Sequence, residues 1–304
     1  MLHFTKSIAV FGATGAQGGP VAHALLDAGR PVRAIARTEA HLQPLAERGA
    51  QVFATDLTDT EALKRALDGV AGAFVQLPFI PVVEVLEAQA RSIKNALVAT
   101  NVPLVVFTTS GPVPTDPTGV ASFDSKMVAE RILRTADVPL IILQPVLYLG
   151  NLSAPFSAPG VVEANELRYP LPAEERRPWI SVEDQAQLAI TALERPDLAG
   201  RTYRIGEQLT GRELAEGLSA GLGRTIRYVP LDPEAFGASI VPFLGEQAGE
   251  ALTHDYRLLG SSVSPLNLET ETETVRRELG IPATPLSVWA RNQPWEAAAS
   301  VFRR

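Results

Sequence analysis

The sequence predicts an α/β fold: a doubly wound parallel sheet, with a smaller C-terminal α/β region lying over the sheet's carboxyl edge. Three observations carry this prediction. Short strand-like runs recur through the first 143 residues, separated by segments of helical period. A glycine-rich loop joins the first run to the first helix. After residue 150 the alternation gives way to loop-rich, Pro-rich sequence. Strand–helix alternation places helices on both faces of one sheet.

The strand-like runs are SIAVF (7–11), PVRAIA (31–36), QVFAT (51–55), GAFVQL (72–77), PLVVFT (103–108) and PLIIL (139–143). They are short and rich in Val, Ile, Leu and Phe, as strands covered on both faces are. Helical period appears over 20–28, where Val21, Ala24, Leu25 and Ala28 share a face, Pro20 sits in the first turn and Gly29 is the stop. Thr58 and Glu61 form a capping-box pattern for a helix over 58–67. Residues 82–100 form a longer helix, and 122–136 the helix that carries Lys126. Six strands with helices between them call for right-handed crossovers.

Residues 1–150 are therefore expected to form a dinucleotide-binding unit. Residues 151–304 are expected to form a smaller substrate or lid region, with the helix near 181–195 returning to the first unit. Ser181 with Asp184 opens helix 182–195, and Thr210 with Glu213 opens helix 211–222. RTYRI and TIRYV read as short strands, and from Pro230 onward helical patches alternate with Pro and Gly breaks.

Composition narrows the function. Lys and Arg number 27 against 34 Asp and Glu, a net charge of −7, and no basic run exists. Direct binding to a nucleic-acid backbone needs clustered cations, so it is not expected. The absence of cysteine excludes disulfides, thiol nucleophiles and thiolate metal sites. His3, His23, His41 and His254 show no metal-ligand spacing, and no Gly-x-Ser-x-Gly elbow occurs. The apolar run in MLHFTKSIAVFGATG is too short for a secretory core, and no stretch approaches the roughly 18 apolar residues of a membrane span. A cytoplasmic protein is the expectation.

The strongest motif is IAVFGATGAQGGP. Gly12, Gly15 and Gly18 form GxxGxxG directly after a strand and before a helix. A tight turn and close backbone approach leave no room for side chains there, and the helix N-terminus offers free N–H groups to a pyrophosphate. Ala16 belongs to the same loop, and Thr14 and Gln17 can add side-chain hydrogen bonds. Without a ligand the pattern would be a tight turn only; the strand–loop–helix context favours dinucleotide binding.

At the end of the second strand stands Arg37, where NAD-specific sites commonly place an acid. A guanidinium there suits a 2′-phosphate, so NADP(H) is expected over NAD, with Arg33 and His41 as possible helpers. The alternative is a solvated arginine at a strand end. Asp56 and Leu57 follow the third strand, where a carboxylate either accepts the adenine amino group or shapes an exposed turn. Gln76, Leu77 and Pro78, at the end of the fourth strand, should line the cofactor.

With these residues in place, the chain resembles the NmrA-like family, an atypical branch of the short-chain dehydrogenase/reductase superfamily. The matching stretches are GATGAQGGPVAHALL, RPVRAIAR, VFATDLTD, VVFTTSG, SFDSKMVAERIL, LQPVLYLGN, PWISVEDQAQLA and LTGRELAEGLSAGLGRTIRYV. The resemblance implies a Rossmann domain preferring NADP(H) and a small C-terminal domain closing a cleft. It also implies either quinone and dye reduction or cofactor sensing without turnover. In the wider superfamily a tyrosine four residues before the lysine protonates the carbonyl, and the lysine holds the nicotinamide ribose and lowers the phenol pKa. Lys126 falls at the lysine's place and Ser110 near the usual serine, but Ser122 stands where the tyrosine would be. Lys126 then keeps its ribose-binding role, unless it is simply a surface lysine.

Asp124, otherwise a helix cap, and Tyr148, otherwise a wall residue, are the other candidate proton sources. Gln144 replaces an arginine common in relatives. Leu147, Leu152, Phe156, Phe236, Val241 and Phe243 either wall a hydrophobic pocket or pack in the core. Trp179 reads as a buried anchor. Two functions follow. One is an NADPH-dependent oxidoreductase passing hydride to an apolar, conjugated small-molecule acceptor such as a quinone, in which Lys126, Ser110 and Tyr148 do the catalytic work. The other is a non-catalytic NADP(H)-binding redox sensor that signals to a protein partner.

Overall fold

The computed structural model describes residues 6–78, 80 and 82–301; His3 lies outside them. The first half is strand–helix alternation. β1 (Ile8–Phe11) leads into α1 (Gly18–Asp27), β2 (Val32–Ala36) into α2 (Glu39–Glu47), and β3 (Gln51–Ala54) into α3 (Thr60–Leu67). β4 (Gly72–Gln76) precedes α4 (Val83–Ala99), β5 (Val105–Thr108) precedes α5 (Ala121–Arg134), and β6 (Leu140–Pro145) follows. Beyond it come β7 (Leu147–Tyr148), α6 (Ala158–Ala164), β8 (Glu166–Tyr169), β9 (Arg177–Ile180) and α7 (Val182–Leu193). β10 (Thr202–Ile205), β11 (Glu207–Leu209), α8 (Gly211–Leu222) and β12 (Arg227–Pro230) come next. Five helices end the described chain: α9 (Pro233–Leu244), α10 (Glu246–Gly260), α11 (Thr272–Leu279), α12 (Leu286–Arg291) and α13 (Trp295–Ala299).

Seven strands form one sheet in the order β10-β6-β5-β4-β1-β2-β3, every pair parallel. Successive residues of each strand face opposite layers. Val10, Ala34, Phe74, Val106 and Leu143 meet α1 and α7 on one side. Phe11, Ile35, Val75, Phe107 and Ile142 meet the α3–α4–α5 layer on the other. Because both faces are covered, the strands read as continuous apolar runs rather than alternating ones.

The order reverses at β1, whose neighbours are β2 and β4. That switch point opens a crevice beyond the strands' carboxyl ends.

The structure extends the expected six-stranded sheet by one. RTYRI, expected only as a short strand, becomes β10 and pairs with β6 through Thr202↔Ile142 to Ile205↔Pro145. α7 packs on α1, and α11 packs on β10. α2 was not expected. It contains Pro44 and buries only Leu42 and Leu45, too little for a periodic signal.

Two of the three capping boxes are corrected. Asp59, not Thr58, caps α3, its carboxylate accepting from the Ala62 amide at 2.9 Å. At α7, Ser181 Oγ accepts from the Asp184 amide at 3.0 Å. The Asp184 carboxylate, however, accepts from the Thr284 amide and hydroxyl at 3.0 and 2.6 Å instead of returning to Ser181. Thr210 and Glu213 form the full reciprocal pair.

A second core joins the remaining elements above the carboxyl edge. Tyr169, Trp179, Phe236 and Tyr256 are buried together, their rings edge-on or tilted at 5.0–5.7 Å. Trp179 is thus a buried anchor. This core fixes α9 and α10 over the end of β6 and β7, and α10 also packs on α5. No helix among the described residues is long and apolar enough to cross a membrane.

Candidate active site

The glycine loop begins where β1 ends. Gly12 takes φ +63°, a left-handed conformation open to glycine at no steric cost. A Cβ there would lie 2.2 Å from Gln76 Oε1, and one on Gly18 would lie 2.4 Å from the Gly12 carbonyl oxygen. The Gly15 amide donates to the Gly12 carbonyl at 2.8 Å, closing the turn. Gln17, at the α1 N-terminus, makes no side-chain cap, so its amide side chain is left to face the cleft. Bare backbone and a helix N-terminus at a sheet switch point fit a pyrophosphate.

The nucleoside end is more open. Arg37 is exposed at the end of β2. Asp56 Oδ1 accepts from the Thr58 hydroxyl at 2.6 Å and amide at 2.8 Å. Those bonds, helped by the nearby Arg37 charge, hold its carboxyl below the usual carboxylate range. Asp56 is thereby a turn-forming aspartate, and Leu57 packs in the sheet core. Arg33 turns away, donating to the Ala66 and Asp68 carbonyls at 3.0 and 2.6 Å, so it cannot assist Arg37. His41 lines a groove of about 810 Å³ with Thr14, Gly15, Ala16 and His23 along the α1–α2–α7 side.

At the other end of the crevice lies a cleft of about 450 Å³. It brings together Ala16, Gln17, Ser110, Lys126 and Tyr148, drawn from four separate chain segments. Ser110 holds φ +60° and donates its hydroxyl to Gln17 Oε1 at 3.1 Å, bridging the first loop to the loop after β5. Gly111 lies beside it, where a Cβ would come within 2.9 Å of Lys126 Cε and push the lysine side chain aside. Leu77 and Pro78 share a smaller hollow with Ser110, Ser122 and Lys126. The Gln76 side-chain amide donates to the Leu77 carbonyl.

Lys126 is not a surface lysine: it is 9% exposed. Its Nζ donates to the Ser122 carbonyl at 2.6 Å and lies 5.3 Å from the centre of the Phe123 ring. Burial pushes its pKa down to about 8, against the opposing pull of Asp255.

Two suspected proton donors prove to be engaged. Tyr148 presents its ring to the cleft but donates its hydroxyl to Gln185 Oε1 at 2.5 Å, and burial raises its pKa. Asp124 is filled by the Thr118 hydroxyl and the amides of Thr118 and Gly119, so it shapes the loop before α5. Gln144 donates to Glu130 at 2.7 Å. Of the six apolar residues expected to wall a pocket, Leu147 lines the cleft. Leu152, Phe156 and Phe236 pack in the second core, Phe243 packs edge-on against Phe156, and Val241 lies against Gly249. Phe123, Val146, Leu252 and Leu259 complete the apolar wall.

Sequence reasoning missed Asp255. It comes from α10, is 6% exposed, and accepts a hydrogen bond from Ser122 Oγ. Burial raises its pKa, while the Ser122 hydrogen bond and the Lys126 charge oppose that rise. Asp255 and Ser122 are 133 residues apart, so no spacing pattern joins them. The weak signal was an Asp-Tyr pair within an otherwise amphipathic helix. Among the described residues, no group of three or more His, Asp or Glu side chains could hold a metal ion.

A glycine cradle at the switch point of a seven-stranded parallel sheet, with a lysine-bearing cleft beyond it, defines an NAD(P)-binding protein of the Rossmann fold. The chain belongs to the NmrA-like family, whose model matches residues 4–285. It is 29% identical over 287 residues to an NAD(P)H azoreductase of Xenophilus azovorans, covering 93% of this chain and 96% of that one. An NADPH-dependent quinone oxidoreductase of Escherichia coli, solved with NADPH, superimposes with a TM-score of 0.73 at 25% identity, covering 97% of this chain and 99% of that one. The triphenylmethane reductase of Citrobacter sp., solved with NADP(H), superimposes with a TM-score of 0.78 at 21% identity, covering 94% and 99%; at that identity it speaks for the fold.

Proposed function

We propose that the protein is an NADPH-dependent oxidoreductase that reduces an apolar, conjugated acceptor such as a quinone. The observation that carries this reading is the cleft itself. Lys126, Ser110 and Gln17 meet there beneath an apolar wall built by Phe123, Val146 and Leu147 with Leu252 and Leu259 of α10. A protein that only held a nucleotide would have little use for a largely apolar cleft beyond the nicotinamide end. The azoreductase and quinone oxidoreductase relatives support the same class of chemistry.

Bound NADPH would supply two electrons and a proton as hydride. The chain's own residues bind and orient. The backbone of Gly12, Gly15, Ala16 and Gly18 would receive the pyrophosphate, with Thr14 beside it. Arg37 would pair with the 2′-phosphate. Asp56 would form the turn beneath the adenine, next to Leu57. Leu77 and Pro78 would flank the nicotinamide half, and Lys126 would hold its ribose hydroxyls. Leu147, Val146, Leu252 and Leu259 would exclude water and position an apolar acceptor. On this reading residues 1–150 bind the nucleotide, and parts of 151–304 close over it.

A second reading has one observation in its favour. Ser122 replaces the tyrosine, and the two tyrosines that line the cleft are engaged, Tyr148 with Gln185 and Tyr256 with Tyr169. A sensor of the NADPH/NADP⁺ balance would need no acid, but it must distinguish the two cofactor forms. The separating experiment follows NADPH absorbance with purified protein and a panel of quinones, enals and cationic dyes, with cofactor fluorescence measured in parallel. Acceptor-dependent loss of NADPH supports the reductase. Tight NADPH binding with no turnover on any acceptor, and a different affinity for NADP⁺, favours the sensor.

A further inference from the structure

The phenol that delivers a proton in the wider superfamily is replaced by Ser122. A serine hydroxyl is a poor acid, and here it donates to a carboxylate, which makes it poorer. The carboxylate is the more telling group. Asp255 reaches the cleft from α10, stands on Ser122 Oγ, and lines the same space as Lys126, Ser110 and Gln17. Ser122, only 2% exposed, also lines a separate groove of about 250 Å³ with Gly119, Val120, Gln247, Glu250 and His254. Glu250 and His254 are exposed there. The Ser122–Asp255 pair therefore spans the wall between an outer groove and the cleft.

We propose that Asp255 is the acid that protonates the reduced acceptor, and that Ser122 returns a proton to it from solvent in the outer groove. The proposal rests on the reductase reading. A quinone that accepts hydride becomes a hydroquinone monoanion. One O–H bond of Asp255 breaks and one forms on that oxyanion, leaving a carboxylate beside Lys126. The carboxylate takes the proton of Ser122 Oγ as solvent delivers another to the same oxygen, so no alkoxide forms. In sum, NADPH, quinone and one proton become NADP⁺ and hydroquinone. The titratable groups facing Asp255 are Lys126 on α5, His254 and Tyr256 on its own helix, and Tyr148 across the cleft. Burial is the largest influence on Asp255 and favours its protonated form.

Two acceptors separate proton delivery from hydride delivery. A neutral quinone needs a proton after hydride arrives, whereas a cationic triarylmethane dye is neutralised by hydride alone. Asp255→Asn should lower kcat/KM for the quinone by at least about a hundredfold more than for the dye, the lower edge of what a general acid contributes. Asp255→Glu should recover part of the quinone rate.

A readout without cofactor or turnover accompanies this. In protein carrying ¹³C at aspartate carboxyls, the resonance lost in Asp255→Asn should titrate above the ordinary aspartate value of 3.8. Equal falls for both acceptors, no fall for either, or a titration at or below 3.8 overturns the assignment to Asp255. A wild-type protein that binds NADPH and reduces neither acceptor overturns the reductase reading, and this one with it.

Discussion

Replacing Lys126 with methionine should stabilise the cofactor-free protein near neutral pH while weakening its hold on NADPH. The lysine is buried, and its pKa falls from 10.5 to about 8, chiefly through burial. A lysine whose folded pKa lies below its unfolded value weakens the fold wherever both states are charged. That penalty fades as pH rises through 8 and is gone above 10.5. From those two values it amounts to about 3 kcal/mol at pH 7 and about 1 kcal/mol at pH 10. Methionine fills similar volume but gives up the hydrogen bond to the Ser122 carbonyl, which costs about 1 kcal/mol. Loss of the ammonium also removes a charge that opposes burial at Asp255, so the pKa of that carboxyl moves further up. The net gain is about 2 kcal/mol at pH 7 and near zero at pH 10. Urea unfolding of both proteins at the two pH values measures it, since groups that do not interact with Lys126 cancel in the difference. A difference that does not change with pH would refute the buried-charge argument. Loss of the ribose contact should raise the Kd for NADPH about tenfold to a hundredfold, read by cofactor fluorescence.

Arg37→Glu should weaken NADPH binding by about tenfold to a hundredfold and NADH binding far less, because the lost contact is charge-assisted. Unchanged NADPH affinity would remove Arg37 from the site. Tyr148→Phe should leave kcat within about threefold of wild type and cost about 1 kcal/mol of stability, since buried Gln185 loses its donor. A fall in kcat beyond about a hundredfold would make the tyrosine an acid after all. Leu252→Ala, in the apolar wall, should lower kcat/KM for a quinone by about tenfold through lost apolar contact, with NADPH Kd within twofold. Equal effects on both ligands would place Leu252 outside the acceptor's half of the cleft.

The nucleotide half was legible because its constraint is local. Close backbone approach is written as residue type: Gly12, Gly15 and Gly18 fall within one loop, and the strand before it and helix after it are read from the same stretch. What the chain hid was non-local or directional. β10 is four residues long, and nothing in TYRI says that it pairs with β6 rather than with its neighbour in sequence. α2 hides behind Pro44. Lys126 was found by its place in SFDSK, yet α10, which packs on its helix and shares its cleft, lies more than a hundred residues away. Tyr148 was found too, but the direction of its hydroxyl depends on Gln185, on another helix.

This division has a chemical consequence. Groups that would receive the cofactor, Lys126 on α5 apart, lie at strand ends and in the loops just beyond them, so the sheet holds them in register whatever lies above. Groups that would meet the acceptor come mostly from β7 and α10, fixed by the aromatic core of Tyr169, Trp179, Phe236 and Tyr256. A single sheet can therefore present one reductant to different acceptors as the upper wall changes. The wall must also provide what its acceptor requires, and an acceptor that ends as an oxyanion requires a proton. Asp255 belongs to the wall, not to the sheet. Proton delivery here would thus vary with acceptor choice and stay independent of cofactor choice, the reverse of an arrangement in which tyrosine and lysine share one helix at the sheet's edge.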